Sequence, residues 1–185
     1  MQKALILHGT DSNPTDNWFP WLKKELEAKS WQVTLPELPD SSTPNIKKYN
    51  DFLFSQLQFD FDEDTVLIGH SSGGVAILGI LQALPEDKKV KHCYLVSAFI
   101  NDLGWESLGS LFEEDFDFSK IKNKADHFTI LHADNDPYCP LDHAKFLAEK
   151  LDAELLIKAG QKHFSIGSFG EKYKEFPDLL ALITK

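Results

Sequence analysis

The sequence predicts an α/β protein: a three-layer α/β/α sandwich around a mainly parallel sheet of about six strands. Two observations lead there. Short apolar runs alternate along the chain with helical patterns, which is how repeated βαβ units read. The 185 residues are 42% hydrophobic and carry no internal repeat, low-complexity tract or linker, so one domain over residues 1–185 with a full core is expected.

The elements follow in order. Lys3–Leu7 is the first strand, and Trp18–Lys29 the first helix. Trp31–Leu35 is a strand stopped by Pro36 and Pro39. Pro44 stands just before a helix over Ile46–Leu57. Thr65–Ile68 is a buried-strand run ending at Gly69, followed by a helix over Ser72–Leu84 that Pro85 stops. Val90–Ser97 and Phe128–Leu131 are further strands. Leu141–Leu151 is a helix, Glu154–Ile157 the last strand, and a C-terminal helix lies near Gly170–Ile183. Pro177 starts or kinks that helix. Phe99–Lys124 is the least regular stretch: a long loop or small helical excursion. It is either a solvated face or a lid whose Trp105, Phe112, Phe116 and Phe118 line a pocket.

Composition excludes several classes. The chain has 19 basic and 29 acidic residues, a net charge of −10 with histidine neutral. That argues against nucleic-acid binding, which rests on Lys and Arg, and favours a neutral or cationic small-molecule substrate. The cysteines, Cys93 and Cys139, have neither CxxC nor zinc-finger spacing, so reduced thiols in a cytoplasmic protein are expected. Met1–Leu7 looks like a first strand and not a signal peptide, and no apolar run approaches the ~18 residues of a membrane span.

The strongest local signal is Gly69-His70-Ser71-Ser72-Gly73, followed by Gly74. It has the form G-x-S-x-G, with a strand-like Val66-Leu67-Ile68 before it and a helix-forming Val75-Ala76-Ile77-Leu78 after it. A serine there sits on a sharp, strained strand-to-helix turn. Bulky side chains two positions either side would collide, which is why glycines occupy 69 and 73. The turn points the Ser71 hydroxyl off the sheet, beside a helix N-terminus whose free N–H groups face a developing oxyanion. A phosphate loop is the rival, but the G-x-x-x-x-G-K-[ST] spacing is missing. The first strand leads into Gly9-Thr10-Asp11-Ser12-Asn13, which is no dinucleotide fingerprint either.

A nucleophilic serine needs a base and an acid, and where a G-x-S-x-G elbow of this kind carries the serine the chain order is expected to be Ser, Asp or Glu, His. The strand Phe128–Leu131 runs into His132-Ala133-Asp134-Asn135-Asp136-Pro137-Tyr138-Cys139-Pro140, and Asp136 and Asp134 are both candidate acids. After the last strand comes Ala159-Gly160-Gln161-Lys162-His163-Phe164, where His163 is the candidate base: neutral imidazole can accept the Ser71 proton and return it to a leaving group. The backbone N–H groups of Thr10 and Ser72 are the candidate oxyanion hole. Trp18, Trp105 and Phe112 are candidate pocket residues, though aromatics at helical spacing more often belong to the core. The acidic run Glu113–Asp117 would repel anionic substrates if it overhangs the site. A metal site built from His132, Asp134, Asp136 and His163 is an alternative without supporting ligand spacing, so no metal and no cofactor are expected.

These features together resemble the α/β-hydrolase superfamily, and within it the small serine hydrolases related to retinoblastoma-binding protein 9. The marks are Trp18-x-x-Trp21-Leu22-x-x-x-Leu26, the Gly69–Gly73 elbow, Asp136-Pro137-x-x-Pro140 and His163-Phe164. The resemblance implies a Ser71, Asp136, His163 triad, prefers Asp136 over Asp134, and implies a compact sheet without a large cap domain. Lys162 departs from the glycine common before the catalytic histidine, and the Gly9–Pro14 loop lacks a glycine-rich oxyanion signature. No Leu-x-Cys-x-Glu motif is present, so no retinoblastoma-type partner is implied. The function expected is hydrolysis of a small ester, thioester or amide through an acyl-enzyme. The alternative is a catalytically weak binding protein on the same fold.

Overall fold

The computed structural model describes residues 1–185. Its six strands form one all-parallel sheet: β1 (Lys3–Leu7), β2 (Gln32–Thr34), β3 (Thr65–His70), β4 (Val90–Val96), β5 (Ala125–Ala133) and β6 (Glu154–Lys158). The spatial order is β2-β1-β3-β4-β5-β6. Order reverses between β1 and β3, and in open parallel sheets ligands bind outside the carboxyl ends of the strands at such a reversal.

Both faces of the sheet are covered, and the period-2 alternation of strand side chains divides the core. Leu5, Leu7, Leu67, Cys93, Leu95 and Ile130 face one way, onto α2 (Ile46–Asp51), α3 (Ser72–Ala83) and α5 (Leu141–Leu151). Ala4, Ile6, Val66, Ile68, Tyr94, Val96 and Leu131 face the other, onto α1 (Phe19–Glu27) and α7 (Pro177–Ile183). Helix α3 is apolar nearly all round because it is buried from Ser72 to Leu81. Each Leu or Ile it takes out of water contributes about 1.5–3 kcal/mol before the entropy of ordering it.

The expected elements are present, with informative differences at their ends. The α2 helix starts where expected because Asn45 caps it, its side chain accepting from the Lys48 N–H at 2.9 Å. It then widens into a π turn over Phe52–Gln56 in place of one continuous helix. Pro177 begins α7. The stretch before it folds into α6 (Ile166–Phe169), not expected from the sequence, and a separate 3-10 turn over Glu171–Lys174 where the sequence predicts the start of the C-terminal helix. The Phe99–Lys124 excursion is helical in pieces: a 3-10 segment over Glu106–Leu111, α4 (Phe118–Ile121) and a 3-10 turn over Lys122–Lys124. Cys93 and Cys139 are buried and unpaired, and no helix is long and apolar enough to cross a membrane.

Candidate active site

Ser71 sits between β3 and α3 with φ 56° and ψ −123°, a left-handed backbone that a non-glycine residue adopts only under local constraint. The constraint is steric and matches the reading of the two glycines. A Cβ on Gly73 would overlap the carbonyl oxygens of Leu7 and His8, and one on Gly69 would overlap the Gly73 carbonyl. The Ser71 N–H is used: it donates to the Val96 carbonyl at 2.8 Å and so locks the elbow to β4.

His163 lies in the loop after β6, and its Nδ1 meets Asp136 Oδ2 at 2.8 Å. A carboxylate can only accept, so Nδ1 carries the proton and Nε2 is left as the acceptor of the neutral ring. Asp136 is well supplied with donors: Ser97 Oγ to Oδ2 at 2.7 Å, and the N–H groups of Tyr138 and Cys139 to Oδ1 at 2.9 and 3.0 Å. Burial works against its charge, but the His163 imidazole and the Cys139 and Tyr138 N–H groups outweigh it and hold the carboxyl below the usual carboxylate range. Of the two candidate acids, then, Asp136 reaches His163. Asp134 accepts from the Gly160 N–H at 2.7 Å.

Asn135, between them, accepts from the Lys162 N–H at 2.9 Å. Three consecutive residues after β5 thus grip the loop after β6, each at a different point. This bears on Lys162, which stands where the family resemblance implies glycine. Its φ is 51° and that of Phe164 is 49°, and the Asn135 bond together with the Trp18 Nε1 bond to the Phe164 carbonyl (3.0 Å) helps secure these left-handed residues.

His70, the variable residue of the elbow motif, proves to be a strut. Its Nε2 donates to the His163 carbonyl at 2.8 Å, tying the serine's strand to the histidine's loop. Nδ1 then carries only a lone pair, with no partner. Burial first, then the neighbouring His163, push its pKa down to about 3, so the ring is neutral. His8 is likewise held neutral by burial. It accepts from the Leu38 N–H at 3.0 Å and donates to its neighbour's Gly9 carbonyl at 3.0 Å, fixing the turn that carries Thr10. The Thr10 and Ser72 N–H groups donate to no backbone acceptor. The two residues are joined by their side chains, Thr10 Oγ1 donating to Ser72 Oγ at 2.9 Å.

Ser71, His163 and Thr10 line one cavity of about 610 Å³. One wall is polar, with Asp11, Ser12, Thr15, Asp16 and Asn17. The other is apolar, with Phe99, Leu103, Trp105 and Leu108. Of the candidate pocket residues, only Trp105 belongs to it. Trp18 is fully buried beneath the site, edge-on to Phe19, His70 and Phe176, because its indole is a core plug bonded to the Phe164 carbonyl. Phe112 is turned away and packs with Phe99 and Phe116 behind the cavity wall. The acidic run does not overhang the site either: Glu113 and Glu114 line a separate cavity beside α2 and α3.

The residues of the alternative metal site do not converge. His132 Nε2 bonds the Cys139 carbonyl at 2.9 Å, and Asp134 is committed to Gly160. Asp136, Cys139 and His163 do bring potential ligand atoms within 4.8 Å of one another. Yet Asp136 and His163 are already paired, and burial holds the Cys139 thiol far up in its neutral form. The donor set therefore suits a hydrogen-bonded relay and not an ion.

A parallel sheet with an elbow serine after β3, an acid after β5 and a histidine after β6 is the architecture of the α/β-hydrolase class. The comparisons agree: an extracellular α/β-hydrolase from a Paenibacillus species superposes with a TM-score of 0.71 at 15% identity, covering 100% of this chain and 98% of the other, a likeness of fold. The serine hydrolase family model matches residues 4–185, and the chain belongs to that family, a family of hydrolytic enzymes. It is 33% identical over 164 residues to the putative hydrolase YdeN of Bacillus subtilis (strain 168), covering 88% of this chain and 86% of the relative. It is 30% identical over 183 residues to the serine hydrolase RBBP9 of Rattus norvegicus, covering 96% and 95%. The crystal structure of the B. subtilis ydeN gene product superposes with a TM-score of 0.91 at 30% identity, covering 100% of this chain and 97% of the other.

Proposed function

We propose that the protein hydrolyses a small ester, thioester or amide through an acyl-enzyme formed on Ser71, with His163 as base and acid and Asp136 as the residue that orients it. The observation that carries this reading is the 2.8 Å bond from His163 Nδ1 to Asp136, which leaves Nε2 as the acceptor on a ring that shares one cavity with Ser71. Ser71 Oγ attacks the substrate carbonyl carbon while Nε2 takes its proton. The carbonyl oxygen becomes an oxyanion facing the Thr10 and Ser72 N–H groups. Collapse breaks the bond to the leaving group, which receives the proton from His163. A water then gives a proton to His163 and attacks the acyl carbon; the acid departs and Ser71 regains its hydrogen. Asp136 stays ionised throughout, and its charge stabilises the imidazolium.

The cavity narrows the substrate. Asp11 and Asp16 stand on its wall and no Lys or Arg does, so a substrate that is neutral or cationic is favoured over an anionic one. The apolar wall suits an uncharged acyl or leaving group.

The test is a fluorophosphonate probe read by intact mass on the parent and on Ser71→Ala. The reading expects one adduct on the parent and none on the variant, with unchanged thermal stability. A folded parent that takes no adduct would instead support a binding protein on a hydrolase fold.

A further inference from the structure

We propose that Ser97 is a positioning residue for this reaction: its hydroxyl fixes the Asp136 carboxylate in the orientation that holds His163. The inference rests on the Ser71–His163–Asp136 reading and adds a fourth side chain to it.

Ser97 is the first residue beyond β4, and it is fully buried. Its N–H donates to the Leu131 carbonyl of β5 at 2.9 Å, so its backbone is pinned between the two strands that flank the site. Its Oγ then reaches Asp136 Oδ2 at 2.7 Å, the same oxygen that takes the His163 Nδ1 proton at 2.8 Å. The other oxygen, Oδ1, is occupied by the Tyr138 and Cys139 N–H groups and lies 3.1 Å from His163 Nδ1. Without the hydroxyl, Oδ2 keeps only the imidazole as partner, and the carboxylate, still anchored through Oδ1, is freer to tilt toward a shared, longer contact with the ring.

The backbone gives a second and independent reason. Ser97 has φ 51°, a left-handed conformation that glycine adopts without penalty and serine does not. Local conformation alone would place glycine here. A serine held at a strained, buried position beside the acid is the pattern expected where side-chain chemistry outweighs backbone comfort.

The titratable groups around the Asp136 carboxylate are His163, His132, His70 and Cys139. Burial keeps His132 and His70 on the neutral side and the Cys139 thiol protonated, so the Asp136–His163 couple is the one whose proton affinity Ser97 tunes.

Ser97→Gly separates the positioning role from a structural one. It removes the hydroxyl and relieves the backbone together. The expected result is thermal stability equal to or above the parent, kcat for a neutral activated ester lowered about tenfold or more, and KM nearly unchanged. Loss of a donor to the ionised carboxylate raises the proton affinity of the couple, so the acid limb of the kcat/KM profile moves to higher pH by about half a unit. Ser97→Ala, which keeps the strain, is expected to lose the same activity and to be no more stable than the parent. Parent-like kcat and an unmoved acid limb in a folded Ser97→Gly protein overturn the proposal. So does an activity loss accompanied only by lower stability, with the limb unmoved. Fluorophosphonate labelling of Ser71 in the parent is run alongside. A parent that does not label removes the triad reading and this one with it, whereas a labelled parent with parent-like Ser97→Gly removes this one alone.

Discussion

The two ends of the sheet are made of the same residue types and behave differently. At the amino ends, carboxylates and amines meet at the surface: Lys89 with Asp126 at 2.6 Å, and the Met1 amino group with Asp64 at 2.9 Å, all substantially exposed. A histidine pair lies there too, His92 and His127, with ring centroids 5.5 Å apart. At the carboxyl ends, His70 and His163 lie 4.8 Å apart, but a buried carboxylate with four donor groups is aimed at one of them. The left-handed residues Ser71, Ser97, Lys162 and Phe164 also gather there. What separates a site from a surface in this molecule is not the presence of His and Asp. It is burial with the Asp136 and His163 bonds directed, and buried left-handed residues such as Ser97 beside them.

The largest effect that could break this comparison comes from neutralising one acid at each end. Asp136→Asn keeps the size but denies His163 a carboxylate, so kcat should fall by about 10³–10⁴. Asp126→Asn, which removes a partner of a half-exposed Lys89, should change kcat less than twofold and stability by no more than about 0–1 kcal/mol. Steady-state kinetics and urea melts on both variants check this. Comparable activity losses would erase the distinction between the ends.

Next in size is the strand-to-helix turn itself. Gly73→Ala drives a Cβ into the Leu7 and His8 carbonyls, so α3 and β1 must separate. The expected cost is at or above the top of about 1–3 kcal/mol, with activity lost in the folded fraction as well. Gly109→Ala, where an added Cβ meets nothing within 4 Å, should stay within about 0.5 kcal/mol of the parent.

The smallest effect is in the pH dependence of stability. Burial lowers the pKa of His70 to about 3 and of His92 to about 4 in the folded protein, against about 6.5 unfolded. Below pH ~6.5 the unfolded chain therefore binds protons that the native state refuses, and stability falls as pH drops from there toward 4. Chemical melts across that window should show a flatter slope in His70→Gln, whose strut is fully buried, than in His92→Gln at the half-buried opposite end. The reverse order would contradict the assignment of the buried end.

The parts of the site legible in the sequence are those with local causes. The elbow is legible because its glycines answer a steric demand within five residues. Asp136 and His163 are legible through chain order, strand ends and family resemblance. Ser97 was hidden because nothing local marks it: a serine ending a strand becomes a partner of Asp136 only when β4 and β5 are adjacent. The loop grip by Asp134 and Asn135 is hidden for the same reason. Trp18 and Phe112 misled because an aromatic side chain fills a core or a pocket equally well. Packing against His70 and Phe176 decides the first, and packing against Phe99 and Phe116 the second. The π turn after α2 escaped because apolar periodicity does not distinguish it from continued α-helix.

The most direct measurement is rapid quenching of the protein with an activated acetate ester, followed by intact mass and peptide mapping before steady state. The account predicts one acetyl group per chain, on Ser71, appearing faster than turnover and absent from Ser71→Ala, which should turn over no ester. Acetylation confined to another residue, or turnover that survives in Ser71→Ala, would contradict it.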